Sequence, residues 1–336
     1  VHGTDREEIA IMRRLRIVLL LTGLGGLGFL VFHVGTEAIG EAFAHLRWWE
    51  FLLVCLPYAL VMVVDTVGWR YAFARDVAPF HRLLGARLAG EALNAVTALA
   101  SVGGEAVKAW LIRRDVPYEE SVPSIIVAKT AATTGQALLL VFGIVVAWTA
   151  LPMDSSVVRG MVWLLGLEIA AVGGFVLAQV TGLVRRAGRL LVSLGIAADA
   201  ASAETLDRAL RHFYRRHWRR VLLSIGLHFA GWLLGALEAY LMLLVLRVPV
   251  SLATATVLEA FGSAVRFATF LVPASVGALE GANAAAFAAL GYTAGAGVAF
   301  TLVRRGRQAV WIVVGLLTLV AMRVGASHGG ARRSPA

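Results

Sequence analysis

Glu105 and Lys129 stand twenty-four residues apart, and so do Glu280 and Arg304. Each glutamate follows the same interruption of an apolar stretch. The first copy reads Ala100-Ser101-Val102-Gly103-Gly104-Glu105, and the second reads Ala274-Ser275-Val276-Gly277-Ala278-Leu279-Glu280. A serine–glycine break unwinds a helix and leaves backbone N–H groups at the start of the next helical piece without partners. With the positive end of the helix dipole, those groups favour an anion such as a phosphate or a carboxylate. Small residues at a tight helix crossing give the same pattern, so packing is the competing explanation. A helix broken at membrane depth, with carboxylate and cation nearby, is where transporters build substrate sites. The candidate binding residues are therefore Ser101, Gly103, Gly104, Glu105 and Lys129, with Ser275, Gly277, Glu280 and Arg304 as their counterparts.

Further ionisable residues interrupt apolar stretches: Asp65, Glu91, Glu168, Glu238, Glu259, Arg266 and Arg307. On insertion scales each costs about 2.5–3.5 kcal/mol at mid-bilayer, so they must pair or line a hydrated cavity. Lys129, Thr133 and Gln136 share one helical face, and Arg304, Arg307, Gln308 and Trp311 form a second polar stripe. Glu259 and Arg266, seven apart, share a face that suits an internal ion pair. Glu91, Glu238 and Glu259 are candidates for carrying protons. Lys129 falls a turn or two inside one membrane face and Arg304 inside the other, one cation at each entrance of a path.

Other signals fail on context. Gly23-Leu24-Gly25-Gly26-Leu27-Gly28 matches the dinucleotide-binding G-x-G-x-x-G but lies in a basic-flanked apolar span with no alternation of strands and helices after it. The histidines are scattered, with no zinc or di-metal spacing. No nucleophile–base pair appears, so no catalytic residue, metal or cofactor is assigned. Gly231 and Gly235 form a possible helix-packing G-x-x-x-G.

The elements that must position these residues follow from composition. The chain has 336 residues, 59% of them hydrophobic and 15% charged, which is an integral membrane protein. Six segments can each cross a core that takes about 20 helical residues: 17–35, 51–70, 122–150, 160–182, 221–246 and 297–322. The run beginning at Ile17 is longer than a signal-peptide core and reads as a retained first span. Two broken stretches, 83–112 and 252–291, come in addition. The net charge of +10 comes from arginines beside spans, so membrane placement accounts for it and nucleic acid is not an expected partner.

Arginine-rich flanks at the N-terminus, at 70–87 and at 183–220, the last with nine arginines, belong on the cytoplasmic side, giving an N-in, C-in multi-pass protein of a bacterial inner membrane. The first broken stretch then dips in from the cytoplasm and returns, or crosses as a pair of helices, and the second dips in from outside. The expected fold class is an all-α polytopic membrane protein with about six full transmembrane helices and two broken, re-entrant helical hairpins in inverted-topology halves. Residues 1–182 form the first half, 183–220 a basic amphipathic cytoplasmic linker, 221–325 the second half and 326–336 a disordered tail.

Gly103-Gly104-Glu105-x-x-Lys108-x-x-Leu111, followed by Arg113 and Arg114, resembles the Gly-Glu-x-x-Arg/Lys signature of the flippase-like membrane region of lysylphosphatidylglycerol synthases and their stand-alone relatives. Pro273-x-x-x-Gly277-x-x-Glu280, with Arg304-Arg305 downstream, is similar to that family's second signature. The resemblance covers about residues 10–325, and only these motifs are specific. The stretch from Glu91 to Trp110 looks most like the branch found with hopanoid-biosynthesis genes. The resemblance implies lipid translocation and carries a role onto Glu105, Lys108, Glu280 and Arg304. Full-length synthases also have a soluble aminoacyltransferase domain, which has no counterpart in these residues, so a stand-alone form is expected. Ala100 departs from the proline that relatives often place near the first break.

The expected function is movement of an anionic or polar-headgroup lipid, a phospholipid or a hopanoid, between leaflets. The alternatives are an intramembrane lipid-modifying enzyme with Glu105 or Glu280 as base, and a scaffold gathering lipid-biosynthesis enzymes through the basic linker. Membrane lipids are the expected partners; the sequence leaves the oligomeric state open.

Overall fold

The structure is a computed structural model that describes residues 47–96, 102–150, 155–181, 201–272 and 275–331. The span expected at 17–35, Ser101, Pro273 and part of the 183–220 linker lie outside the described residues. Every regular element described is a helix: α1 (Trp48–Cys55), α2 (Pro57–Tyr71), α3 (Phe80–Val96), α4 (Val102–Ile112), α5 (Tyr118–Ala150), α6 (Ser156–Thr181), α7 (Ala201–Arg216), α8 (Trp218–Val245), α9 (Leu252–Ala268), α10 (Ala278–Ala289) and α11 (Ala294–Ala331). Helices are what an apolar solvent demands, because they satisfy each backbone polar group within the segment.

Among the described residues, five units are long and apolar enough to cross a membrane: the pair α1–α2, and α5, α6, α8 and α11. Both broken stretches are helical hairpins, α3–α4 and α9–α10. At a rise of about 1.5 Å per residue none of their four arms reaches the roughly 30 Å of a hydrocarbon core. α11 runs past the boundary expected at 325, and the first three residues after His217 belong to α8 rather than to the linker.

Hydroxyls inside the spans are satisfied locally. Thr130, Thr133 and Thr134 each donate to the carbonyl four residues back, which removes a buried polar group from lipid at no cost in tertiary contacts. The proline between α1 and α2 has the opposite effect. Pro57 has no N–H, the helix restarts with Ala59 N bonding Leu56 O, and the freed Cys55 carbonyl accepts from Trp311 Nε1 of α11 at 3.1 Å.

The halves interlock. α3 packs mainly on α11, and α9 mainly on α5 and α8, so the first arm of each hairpin rests on the span that follows the other hairpin. Glycines permit the approach: a Cβ on Gly315 would lie 2.3 Å from the Leu88 carbonyl oxygen, and one on Gly143 would lie 2.5 Å from Ala260 Cβ. α2 and α8 pair in the same two-fold manner, with Ser224 Oγ donating to the Gly68 carbonyl at 2.8 Å.

The two ends differ. At one end Arg70, Arg82 and Arg220 meet Asp76 and Asp115, and the Arg220 hydrogen bond, with Arg70 beside it, holds the Asp76 carboxyl below its ordinary value. At the other end Arg247 bonds Glu50 at 2.8 Å. The α3–α4 hairpin opens at the arginine-rich end and α9–α10 at the opposite end, the inverted relation expected from the charge pattern. α7 lies at the arginine-rich end as one amphipathic helix, with Leu210 and Phe213 buried and Arg208, Arg215 and Arg216 exposed. Exposed Trp163, Leu167, Phe175, Leu222 and Leu317 make the outer wall apolar, as a lipid-facing surface is.

Two apolar cores fill the bundle. One surrounds the first hairpin with Trp69, Leu83, Ala89, Ile112, Ala128 and Leu210. The other surrounds the second with Leu139, Met242, Leu258, Phe287, Phe300 and Val303. Along α5 the first core ends at Ala128 and the second begins at Leu139, so Lys129 and Gln136 fall between them. Along α11 the second core ends at Val303, and the arginines begin at the next residue.

Candidate functional site

The band between the cores holds two charged clusters, one on each hairpin. In the first, Lys108 of α4 is buried and bridges two carboxylates, Glu91 at 2.7 Å and Glu105 at 3.0 Å. Asn94 of α3 donates to Glu105 Oε1 at 3.2 Å and accepts from Gly104 N at 2.8 Å, so it caps the start of α4 from the neighbouring arm. Lys129 Nζ lies 3.9 Å from Glu105, and Arg87 bonds Asp65 at 2.7 Å one turn before Glu91. This cluster is open: the Lys129 side chain is 55% exposed and that of Glu91 35%.

The second cluster is shut. Glu259 of α9 pairs with Arg304 of α11 and, at 2.9 Å, with Arg266. Glu280 of α10 has no exposed surface; one oxygen takes the Gly277 N–H at 2.8 Å and the other pairs with Arg305. Glu238 of α8 bonds Arg307 at 3.0 Å. Arg304 stacks over Phe300 and Arg307 over Tyr58, with 4.7 and 4.1 Å from guanidinium to ring.

The clusters adjoin. Gly231 of α8 faces the Asp65 carboxylate, and a Cβ there would lie 2.5 Å from Oδ1; Gly235, one turn on, faces Glu259 Oε1. The G-x-x-x-G motif thus makes room for two carboxylates, one from each cluster, rather than for a helix backbone alone. Tyr58, beside the proline break, packs at a tilt against Trp311, with ring centroids 5.4 Å apart, between the charges of Arg307 on one side and of Glu91, Arg87 and Asp65 on the other.

Several placements differ from the sequence expectation. The matched spacing pairs Glu280 with Arg304, whereas Glu280 meets Arg305 and Arg304 meets Glu259. Adjacent helical residues point about 100° apart, so a one-residue difference selects a different neighbour. Arg304 is buried and neutralised rather than standing at an entrance. Neither break offers a bare helix N-terminus, since Asn94 occupies one and the Glu280 side chain the other. Gly104 serves packing, because a Cβ there would lie 2.0 Å from the Gly90 carbonyl oxygen. Gly103 is half-buried in the first turn of α4. Gly277 has φ 78° and Ser275 φ 50°; Gly277 adopts that backbone freely, and the Ser275 hydroxyl accepts from Thr269 Oγ1 at 2.8 Å.

The expected Glu259–Arg266 pair is present. Lys129, Thr133 and Gln136 run inward from the cleft, ending with Gln136 Nε2 donating to the Ser263 carbonyl at 2.8 Å. Asn94, Arg87 and Tyr58 were not singled out as site residues: an asparagine or tyrosine carries no charge to mark it, and Arg87 reads as one more flanking arginine. Pro57 was the available signal for Tyr58. No group of three metal-ligating side chains occurs among the described residues.

Curated proteins and solved structures give no match to the chain. The model of the family described as "Lysylphosphatidylglycerol synthase TM region" matches residues 15–316, taking in both charged hairpins. A chain matched over nearly its whole length, with the Gly104-Glu105-x-x-Lys108 signature at the head of the first charged cluster, belongs to the lysylphosphatidylglycerol synthase transmembrane-region family.

Proposed function

We propose that this protein moves a lipid with an anionic or polar headgroup between the leaflets of its membrane. Family membership gives the chain a lipid-related role in the membrane. The observation that favours translocation is the open first cluster, where Glu91, Glu105, Lys108 and Lys129 offer both signs of charge at membrane depth. Such a cluster serves a headgroup that must leave water, with Lys129 as the accessible cation and the carboxylates receiving hydroxyl or ammonium groups. The arginine-rich end is assigned to the cytoplasmic side by the positive-inside rule, and the exposed basic face of α7 there attracts anionic lipid.

A transport role fits the chemistry better than an enzymatic one. Each glutamate of the two clusters is tied to a cation, and an ion-paired carboxylate is a weak base. The phospholipid and hopanoid substrates remain alternatives within this one reading.

Purified protein in vesicles with a fluorescent phospholipid, scored by chemical quenching of the outer leaflet, tests the proposal. Wild type is expected to speed exchange, and Glu105→Gln combined with Lys129→Gln to abolish the gain. Wild-type vesicles no faster than protein-free ones, with phospholipid and hopanoid probes alike, would sink the idea.

A further inference from the structure

Glu168 is the carboxylate that the charged band does not use. It sits on α6, a helix whose outer face, with Trp163, Leu167, Ile169 and Phe175, is exposed and apolar. Glu168 points the other way. Met161, seven residues before it, and Gln179, eleven after it, share its face and are buried, as is Glu168 itself with 0% exposure. Gly160 faces Phe261 of α9, and Gln179 reaches Thr130 of α5 at 3.3 Å. Glu168 lies about 12 Å along the axis from the first and about 16 Å from the second, well inside the hydrocarbon layer.

Among the described residues, neither of its carboxylate oxygens has a hydrogen-bond partner. The charged groups on the helices packed against α6 are committed elsewhere. On α5, Lys129 faces Glu105; on α9, Glu259 and Arg266 face each other; on α10, Glu280 holds Arg305; on α7, Asp207 and Arg211 pair. Tyr214 of α7 bonds Gln179 instead. The remaining basic residues of α7, Arg208, His212, Arg215 and Arg216, and its Glu204 lie at the arginine-rich end. A bare carboxylate there has neither hydrogen bond nor cation to offset desolvation, whereas the carboxylic acid carries no charge.

We propose that Glu168 is a proton-binding site of the membrane interior, the carboxyl that takes up and releases H⁺ while the glutamates of the charged band stay ion-paired. The ligand is a proton delivered by water. The contrast is with Glu91, Glu238 and Glu259, the carboxylates that sequence alone marks for this role, each of which has a cation within 3.0 Å. The inference does not depend on lipid translocation.

The probe is dicyclohexylcarbodiimide, an apolar reagent that reacts with protonated carboxyls. The acid proton moves to a carbodiimide nitrogen, the carboxylate oxygen adds to the central carbon, and acyl migration leaves a stable N-acylurea. The full chain in detergent is treated across a range of pH and the adduct mapped by peptide mass spectrometry. The expected result is one adduct on Glu168, falling as pH rises and absent in Glu168→Gln, with Glu91, Glu238 and Glu259 unmodified. Mapping on wild type needs no variant to fold. Adducts on the paired glutamates without Glu168, no adduct, or labelling of Glu168 that does not change with pH each overturn the proposal.

Discussion

The two hairpins are built alike and closed differently. Each brings a glutamate on its first arm, Glu91 or Glu259, and another near the start of its second, Glu105 or Glu280, against cations: Lys108 of the hairpin's own second arm in the first, Arg304 and Arg305 of α11 in the second. In the first hairpin one lysine bridges both carboxylates, and Lys129 stays half in the open. In the second, separate arginines take the two carboxylates, and both glutamates are buried while Arg266 and Arg305 stay partly exposed. In an inverted pair, the lipid movement proposed above would exchange the two states in an alternating-access cycle.

The sharpest way to break the comparison is to remove the carboxylate at the same place in each hairpin. Glu259→Gln strands the buried guanidinium of Arg304 and the partly exposed one of Arg266, and the expected loss is about 3–5 kcal/mol, read as a lower unfolding temperature in detergent or as loss of folded protein. Glu91→Gln leaves Lys108 with Glu105 and a cleft for solvent, so its loss is expected below about 1.5 kcal/mol. Equal losses would mean that the clusters do not differ in closure.

A packing pair comes next. Gly104→Ala drives a methyl into the Gly90 carbonyl and is expected to cost about 1–3 kcal/mol. Gly281→Ala on α10 meets nothing within 4 Å and is expected to change stability by no more than about 1 kcal/mol, in the favourable direction. Unfolding midpoints of the two variants separate the arms.

Lys129→Gln sharpens the open side. At 3.9 Å and half exposed, its ion pair is worth less than about 1 kcal/mol, so stability should hardly move while lipid exchange in vesicles falls. A variant that exchanges lipid at the wild-type rate would remove Lys129 from the path.

The smallest effect lies outside the membrane. The lowered Asp76 makes a contribution that is complete above its unfolded value of about 3.9 and is lost as pH falls through the lower folded value. Acidification through that window should therefore weaken wild type slightly more than Asp76→Asn. Identical acid profiles would show that the Arg220 contact contributes nothing at the arginine-rich end.

Much of this was legible beforehand because lipid imposes a strong code. Long apolar runs marked the spans, and arginine counts marked the ends. The cost of a buried charge flags most members of both clusters, but Lys108 and Arg305 enter only through the family resemblance and Arg87 reads as a flanking arginine. Partnering was not legible. Whether Glu280 meets Arg304 or Arg305 turns on a helical rotation of about 100°, which spacing between distant segments does not encode. The open or shut state of each cluster depends on how α3 rests on α11 and α9 on α5, and these contacts between halves leave only glycines such as Gly315 and Gly143 as their trace. Asn94 shows the same limit, since a neutral side chain that caps a neighbouring helix looks in sequence like any polar residue.

Photo-crosslinking with a phospholipid that carries a diazirine in its headgroup tests the headgroup role of the first cluster most directly. The adducts are mapped on the full protein in vesicles. The expected result is labelling of α3, α4 and α5 around Glu91, Glu105 and Lys129, lost in Lys129→Gln, with none at Glu280 or Arg304. Adducts confined to the outer faces of α6 and α8, or formed equally at Arg304, would contradict it.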